Sequence, residues 1–111
     1  MKITTKESNA RKALLSRKRR PTHPGEALRE EFLPALGISK TSFADKIGVS
    51  RQTVHELLAE RRGGSADMAL RLAKFFNTSA EMWLGLQEDV DLWDAMKENR
   101  KVYDRIESVT T

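Results

Sequence analysis

The run from Ser39 to Arg62, SKTSFADKIGVSRQTVHELLAERR, constrains the fold of this chain more than any other segment. Its small and apolar residues fall where two helices joined by a tight turn need them. Phe43, Ala44 and Ile47 make one apolar edge, Gly48 stands at the break, Val49 fills the turn, and Val54, Leu57 and Leu58 resume a helical spacing. Ala44 sits where a second helix must pass close by, so a larger side chain would push the two axes apart. Gly48 can take the positive-φ backbone that ends the first helix, a conformation that costs a residue with a β-carbon about 1 kcal/mol or more. Ser50 can then cap the next helix, its hydroxyl accepting from an otherwise orphaned backbone N–H. The segment reads as a helix-turn-helix.

With Val54, Leu57 and Leu58 turned inward, Arg51, Gln52, Thr53, His55 and Glu56 remain on the outer side of the second helix. In this motif the second helix lies in the major groove with its N-terminal residues at the base edges. Arg51 and Gln52 stand at that position, where arginine pairs with guanine N7 and O6 and glutamine with adenine N7 and N6. Glu56, one turn on from Gln52, either accepts from cytosine N4 or orients Gln52. The alternative is that these side chains form only a solvated helical face.

Around that core the chain divides into three parts. Residues 1–20 hold eight Lys or Arg against Glu7 alone, a net of +7, whereas the other 91 residues net −3, so the overall +4 belongs to the leader. Residues 1–22 are expected to be a flexible basic arm with a transient helical turn around Ala10 to Leu15. Its Arg17-Lys18-Arg19-Arg20 block either lies along phosphates or serves as a solubilising tail. The domain is expected over 23–98. His23-Pro24-Gly25-Glu26 signals a helix start, with proline at the first position and an acid near the positive end of the dipole. Pro34 and Gly37 should end this first helix, with a frayed turn through Leu36. Ser39, Ser50, Ser65 and Ser79 open the next four helices. Met68, Leu72, Phe75 and Phe76 make the inward stripe of the fourth, and Met82, Trp83, Leu86, Val90 and Trp93 that of the fifth, over 80–98. The fifth helix carries more apolar surface than one core contact requires, which marks Leu92, Trp93 and Met96 as dimer contacts. Its many acids, among them Glu81, Glu88, Asp89, Asp91, Asp94 and Glu98, should face away from DNA. The tail over 99–111 is either a frayed helix or a strand added to a partner.

Phosphate contacts are expected at Ser39, Lys40, Thr41 and Ser42, where free N–H groups at a helix start welcome an anion. Ser50, Thr53 and His55 flank the readout residues. Arg61 and Arg62, in the basic connector before Gly63-Gly64, are phosphate candidates that would position the protein without reading sequence.

Composition removes several function classes. Cysteine is absent, which excludes disulfides, thiolate metal sites and cysteine nucleophiles and suits a cytoplasmic location. No apolar run approaches the roughly 20 residues needed to cross a bilayer, and Ala13-Leu14-Leu15 is too short for a signal peptide. His23 and His55 have no companion at metal-ligand spacing. No cofactor, metal or catalytic activity is expected.

The chain also resembles a known family, the HigA antitoxins, also called VapI-like, within the Xre/Cro class of phage-repressor-like proteins. The resemblance rests on Arg20-Pro21-Thr22-His23-Pro24-Gly25-Glu26, on Phe43-Ala44-Asp45-Lys46-Ile47-Gly48-Val49-Ser50-Arg51 and on Met68-Ala69-Leu70-Arg71-Leu72-Ala73-Lys74. It is completed by Phe76-Asn77-Thr78-Ser79-Ala80-Glu81-Met82-Trp83-Leu84-Gly85-Leu86-Gln87 with Asp91-Leu92-Trp93. It implies an all-α, five-helix bundle that forms a homodimer, binds a palindromic operator on double-stranded DNA and represses its own operon. It also implies a partner, a HigB-like mRNA-cleaving toxin that the antitoxin neutralises. In related repressors the base contacts fall at the positions of Arg51, Gln52 and Glu56, and the glutamate departs from the glutamine common there. Alternative readings are a free-standing Xre-family regulator without a toxin and a protein-interaction module that keeps the fold without DNA affinity.

Overall fold

Each helix begins where a side chain can take up an orphaned N–H, and three of the five end at a residue with left-handed backbone. A computed structural model of the chain describes residues 19–109, in which five helices and no strand occur. The expected arm, with its turn around Ala10 to Leu15, lies outside the described residues except for 19–22. The first helix, α1, covers 24–36 in three joined segments: α-helical Pro24–Ala27, a π-helical turn Leu28–Phe32, and α-helical Leu33–Leu36. Then come α2 (Lys40–Ile47), α3 (Arg51–Leu58), α4 (Ala66–Phe76) and α5 (Ala80–Asp104).

The hydroxyls of Ser39, Ser50, Ser65 and Ser79 accept from the backbone N–H groups of Ser42, Thr53, Met68 and Met82, at 3.0–3.2 Å. Gly37, Gly48 and Asn77 take left-handed backbone at the ends of α1, α2 and α4. The start of α1 uses a less expected cap. His23 is buried, and its Nδ1 accepts from the N–H of Gly25 at 2.9 Å.

Two local expectations need correction, the first only in part. Gly37 ends α1 as expected, but Pro34 does not, and the turn through Leu36 is regular helix. Proline inside a helix clashes with the carbonyl four residues back. The π-helical turn immediately before it, closed by the Leu33 N–H to the Leu28 carbonyl, widens the helix where that carbonyl would stand. Met82 does not join the inward stripe of α5 and is 37% exposed, while its neighbour Trp83 is fully buried with its indole N–H donating to Thr78 Oγ1 at 2.8 Å. Of the two readings of the tail, the helical one fits, and no strand forms among the described residues. Asn99 (φ −124°, ψ 23°) kinks α5, and helical backbone then continues to Asp104.

Two compact units are present. The larger, Thr22–Glu88, has a core of Leu28, Leu33, Phe43, Ala44, Ile47, Val54, Leu57, Leu58, Met68, Ala69, Leu72 and Trp83. Phe32, Phe43, Phe75, Phe76 and Trp83 pack in it as tilted and edge-on pairs, with centroids 4.8–5.9 Å apart, the spacing their quadrupoles favour. In the smaller unit, residues 19–21 with 89–109, Arg20 forms a bidentate pair with Asp94, both bonds at 2.8 Å, and the Lys97 ammonium lies 5.1 Å from the Trp93 ring centre.

Candidate nucleic-acid interface

The corner between α2 and α3 is set by three long-range contacts to main-chain atoms. Gly25 of α1 approaches the Leu57 carbonyl so closely that a β-carbon there would lie 1.9 Å from the oxygen. Arg29 of α1 donates to the Leu58 carbonyl at 2.6 Å, filling an acceptor at the end of α3 that the helix itself leaves open. Arg71 of α4 donates from Nη1 to the carbonyls of Ile47 and Gly48 at 2.8 and 3.0 Å, placing a cation at the negative end of α2, and from Nε to Asp67 at 2.8 Å. Sequence reasoning took His23 and Gly25 only as part of a helix start and missed Arg29 and Arg71. For Arg71 the one signal was the Asp67-to-Arg71 spacing of four, which indicates a surface pair and says nothing about α2.

On this corner Val54, Leu57 and Leu58 face the core, and Arg51, Gln52 and His55 are exposed. Lys40 and Thr41 from the start of α2 join Arg51, Gln52 and His55 in lining one open depression. Thus the structure brings together two of the three base-readout candidates with three of the backbone candidates. Ser39 and Ser42 stand beside them, linked by the cap of α2. Ser50 caps α3 and shares a 2.9 Å hydroxyl contact with Thr53.

Glu56 is bonded to Gln52 on one side and to Arg62 on the other. Glu56 Oε1 accepts from Gln52 Nε2 at 3.0 Å, and its Oε2 accepts from Nε and Nη2 of Arg62, both at 3.0 Å. The hydrogen bond from Gln52, followed by that from Arg62, holds the Glu56 carboxyl below the usual carboxylate range. Of the two expected readings of Glu56, the geometry fits orientation of Gln52. Arg61 and Arg62 are both exposed in the connector, and Arg62 is turned onto Glu56. That connector is tied down at its far end, where the Gly64 N–H donates to Gln87 Oε1 at 2.7 Å.

Leu92, Trp93 and Met96, the expected dimer contacts, are half-buried. The large apolar side chains most open to solvent in the smaller unit lie further on, at Val102, Tyr103, Ile106 and Val109. Among the described residues no group of acids and histidines is placed to hold a metal ion, and no helix is long and apolar enough to cross a membrane.

Residues 27–83 match the helix-turn-helix family. The chain is 43% identical over 79 residues to antitoxin HigA-1 of Vibrio cholerae, a match covering 69% of this chain and 72% of that protein. Among solved structures it is similar to the Pseudomonas aeruginosa antitoxin HigA with the higBA promoter, with a TM-score of 0.77 and 43% identity over 82% of this chain and 100% of that one. It is similar also to antitoxin GraA in complex with its operator, with a TM-score of 0.78 and 41% identity over 87% of this chain and 99% of that one. By fold, by the turn between α2 and α3 and by these similarities, the chain belongs to the helix-turn-helix family, among its HigA-type antitoxins and Xre-type regulators.

Proposed function

We propose that this protein is a DNA-binding antitoxin that acts in the cytoplasm, not an enzyme, and that it represses its own promoter as a homodimer while neutralising a HigB-like mRNA-cleaving toxin. The observation that carries the reading is the depression shared by Lys40, Thr41, Arg51, Gln52 and His55, on a corner whose helices are held by main-chain contacts. It is supported by the similarity to two antitoxins solved with operator or promoter DNA. In this reading α3 enters the major groove, Arg51 and Gln52 meet base edges, and Ser39, Lys40, Thr41, Ser42, Ser50, Thr53, His55 and Arg61 face phosphates. The chain is in this reading a homodimer, with Leu92, Trp93 and Met96 as its contacts, and its palindromic site has half-sites about one DNA turn, roughly 34 Å, apart.

The test is a mobility shift with DNA from upstream of the protein's own gene, repeated over a salt series. Affinity should fall steeply with salt as phosphate counterions are released. Arg51→Ala should lose about 1–3 kcal/mol on the operator and relax preference at one base pair. An equal loss on operator and random DNA would refute the readout assignment. Co-expression with the adjacent small reading frame should copurify a toxin-sized partner, and its absence would leave a free-standing regulator.

A further inference from the structure

We propose that Arg62 is a positioning residue for base recognition, acting on Gln52 through Glu56, and not a phosphate contact. The inference rests on the DNA-binding reading above and names how that same face is set.

An acid on the outer side of α3 is an electrostatic liability beside a polyanion, and Glu56 lies one turn from Gln52 on that helix. Both of its oxygens are occupied. Arg62 bonds Oε2 through two nitrogens, so the carboxylate presents no net charge to the groove. The connector is folded to make this possible, since the Glu56 carbonyl accepts from the N–H groups of Arg61 at 2.9 Å and Arg62 at 3.3 Å. Main chain and side chain of Glu56 therefore both draw residue 62 back onto α3.

The other oxygen fixes the amide of Gln52. An ionised carboxylate only accepts, so the Gln52 nitrogen must face it, and one of its two hydrogens is spent there. The other N–H and the carbonyl oxygen are not used by Glu56, which leaves one donor and one acceptor, the kinds of group that pair with adenine N7 and N6. Arg62 seats Glu56 and offsets its charge, Glu56 selects the amide orientation, and Gln52 presents it. This arrangement also accounts for an acid at a position where the resemblance leads one to expect glutamine.

The experiment is a double-mutant cycle. The wild-type chain, Arg62→Ala, Glu56→Gln and the double variant are titrated by fluorescence anisotropy against the operator. The same four are titrated against operators changed at each base pair in turn. Arg62→Ala should weaken operator binding by about tenfold or more and flatten preference at the position that Gln52 reads. In the Glu56→Gln background the same change should weaken binding less than about threefold, because no charge is left to uncover. An equal loss in both backgrounds would make Arg62 a phosphate contact and overturn the proposal. Unchanged operator binding by Arg62→Ala would overturn it too. If the wild-type chain itself fails to bind its upstream DNA, the functional reading and this inference fall together.

Discussion

Adding one methyl group at Gly25 is expected to unseat the recognition helix. The β-carbon of Gly25→Ala would stand 1.9 Å from the carbonyl oxygen of Leu57 and 3.0 Å from its carbonyl carbon. An ordinary contact to carbon lies at about 3.5 Å, so α1 and α3 must separate by roughly 1.6 Å along that line. The obstacle is helix backbone, which cannot swing aside as a side-chain tip can. Leu28 and Leu57, both fully buried, pack in the core beside this contact and lose part of that packing when the helices part. Forcing extra atoms into a packed interior costs about 1–3 kcal/mol and occasionally more. A displacement shared by two helices falls at the upper end of that range. Replacing glycine by alanine in a helix returns about 0.5–1 kcal/mol, which leaves a net loss of about 2 kcal/mol. In a domain of this size each kcal/mol moves the melting temperature by about 4–8 °C. A thermal melt followed by circular dichroism should therefore show Tm lowered by roughly 8–16 °C. Operator affinity measured below that temperature should fall as well, because α3 no longer lies where Arg29 holds its C-terminal end. A variant that melts within about 2 °C of wild type would refute the claim that contact with the Leu57 carbonyl sets the spacing of α1 and α3.

Carbon-detected NMR should find the Glu56 carboxyl titrating below an ordinary exposed glutamate, and Gln52→Ala or Arg62→Ala should each raise it. Because the folded-state value is depressed, the stability that Glu56 contributes is fully present above the ordinary carboxylate pKa and is lost as pH falls through the lowered one; an unshifted titration would contradict the Gln52 and Arg62 contacts. Leu92→Asp with Met96→Asp should yield monomers in sedimentation velocity, and a persistent dimer would move the interface toward the exposed Val102, Tyr103 and Ile106.

Local chemistry made much of the fold legible. A serine before an apolar run and a glycine after one act on their own few residues, so the four hydroxyl caps and the Gly48 turn follow from neighbours in the chain. The inward residues of α2 and α3 were legible for the same reason, since a 3.6-residue period fixes which side chains share a face. Met82 and Trp83 mark where the period stops helping. Both are large, apolar and adjacent, and Trp83 goes inside, where its ring packs on Phe32 and Phe76 and its indole N–H reaches the Thr78 hydroxyl. Pro34 shows a local rule overridden by a neighbouring widened turn. The contacts that fix the corner were not legible, because Arg29 acts across 29 residues and Arg71 across 23 and 24. In sequence each reads only as another surface cation. Arg62 was legible as a basic connector residue, but its partner on α3 was not.

These contacts share a property that bears on how such a corner can change its target. Gly25, Arg29 and Arg71 all engage backbone atoms of α2 and α3, namely the carbonyls of Leu57, Leu58, Ile47 and Gly48. None depends on which side chain those positions carry outward. The core side of α3 uses Val54, Leu57 and Leu58, leaving Arg51, Gln52, His55 and Glu56 with no part in the buried cluster. Substitution on the outer face therefore changes what α3 can read without loosening the frame that holds it, and the energetic couplings there are confined to short chains of neighbours. The longest visible one runs from Gln52 through Glu56 to Arg62. A change at Gln52 is then not a single-residue change in specificity: it frees one oxygen of an acid that only Arg62 still neutralises, so altered base preference at this position should require residues 52, 56 and 62 to be changed as a set.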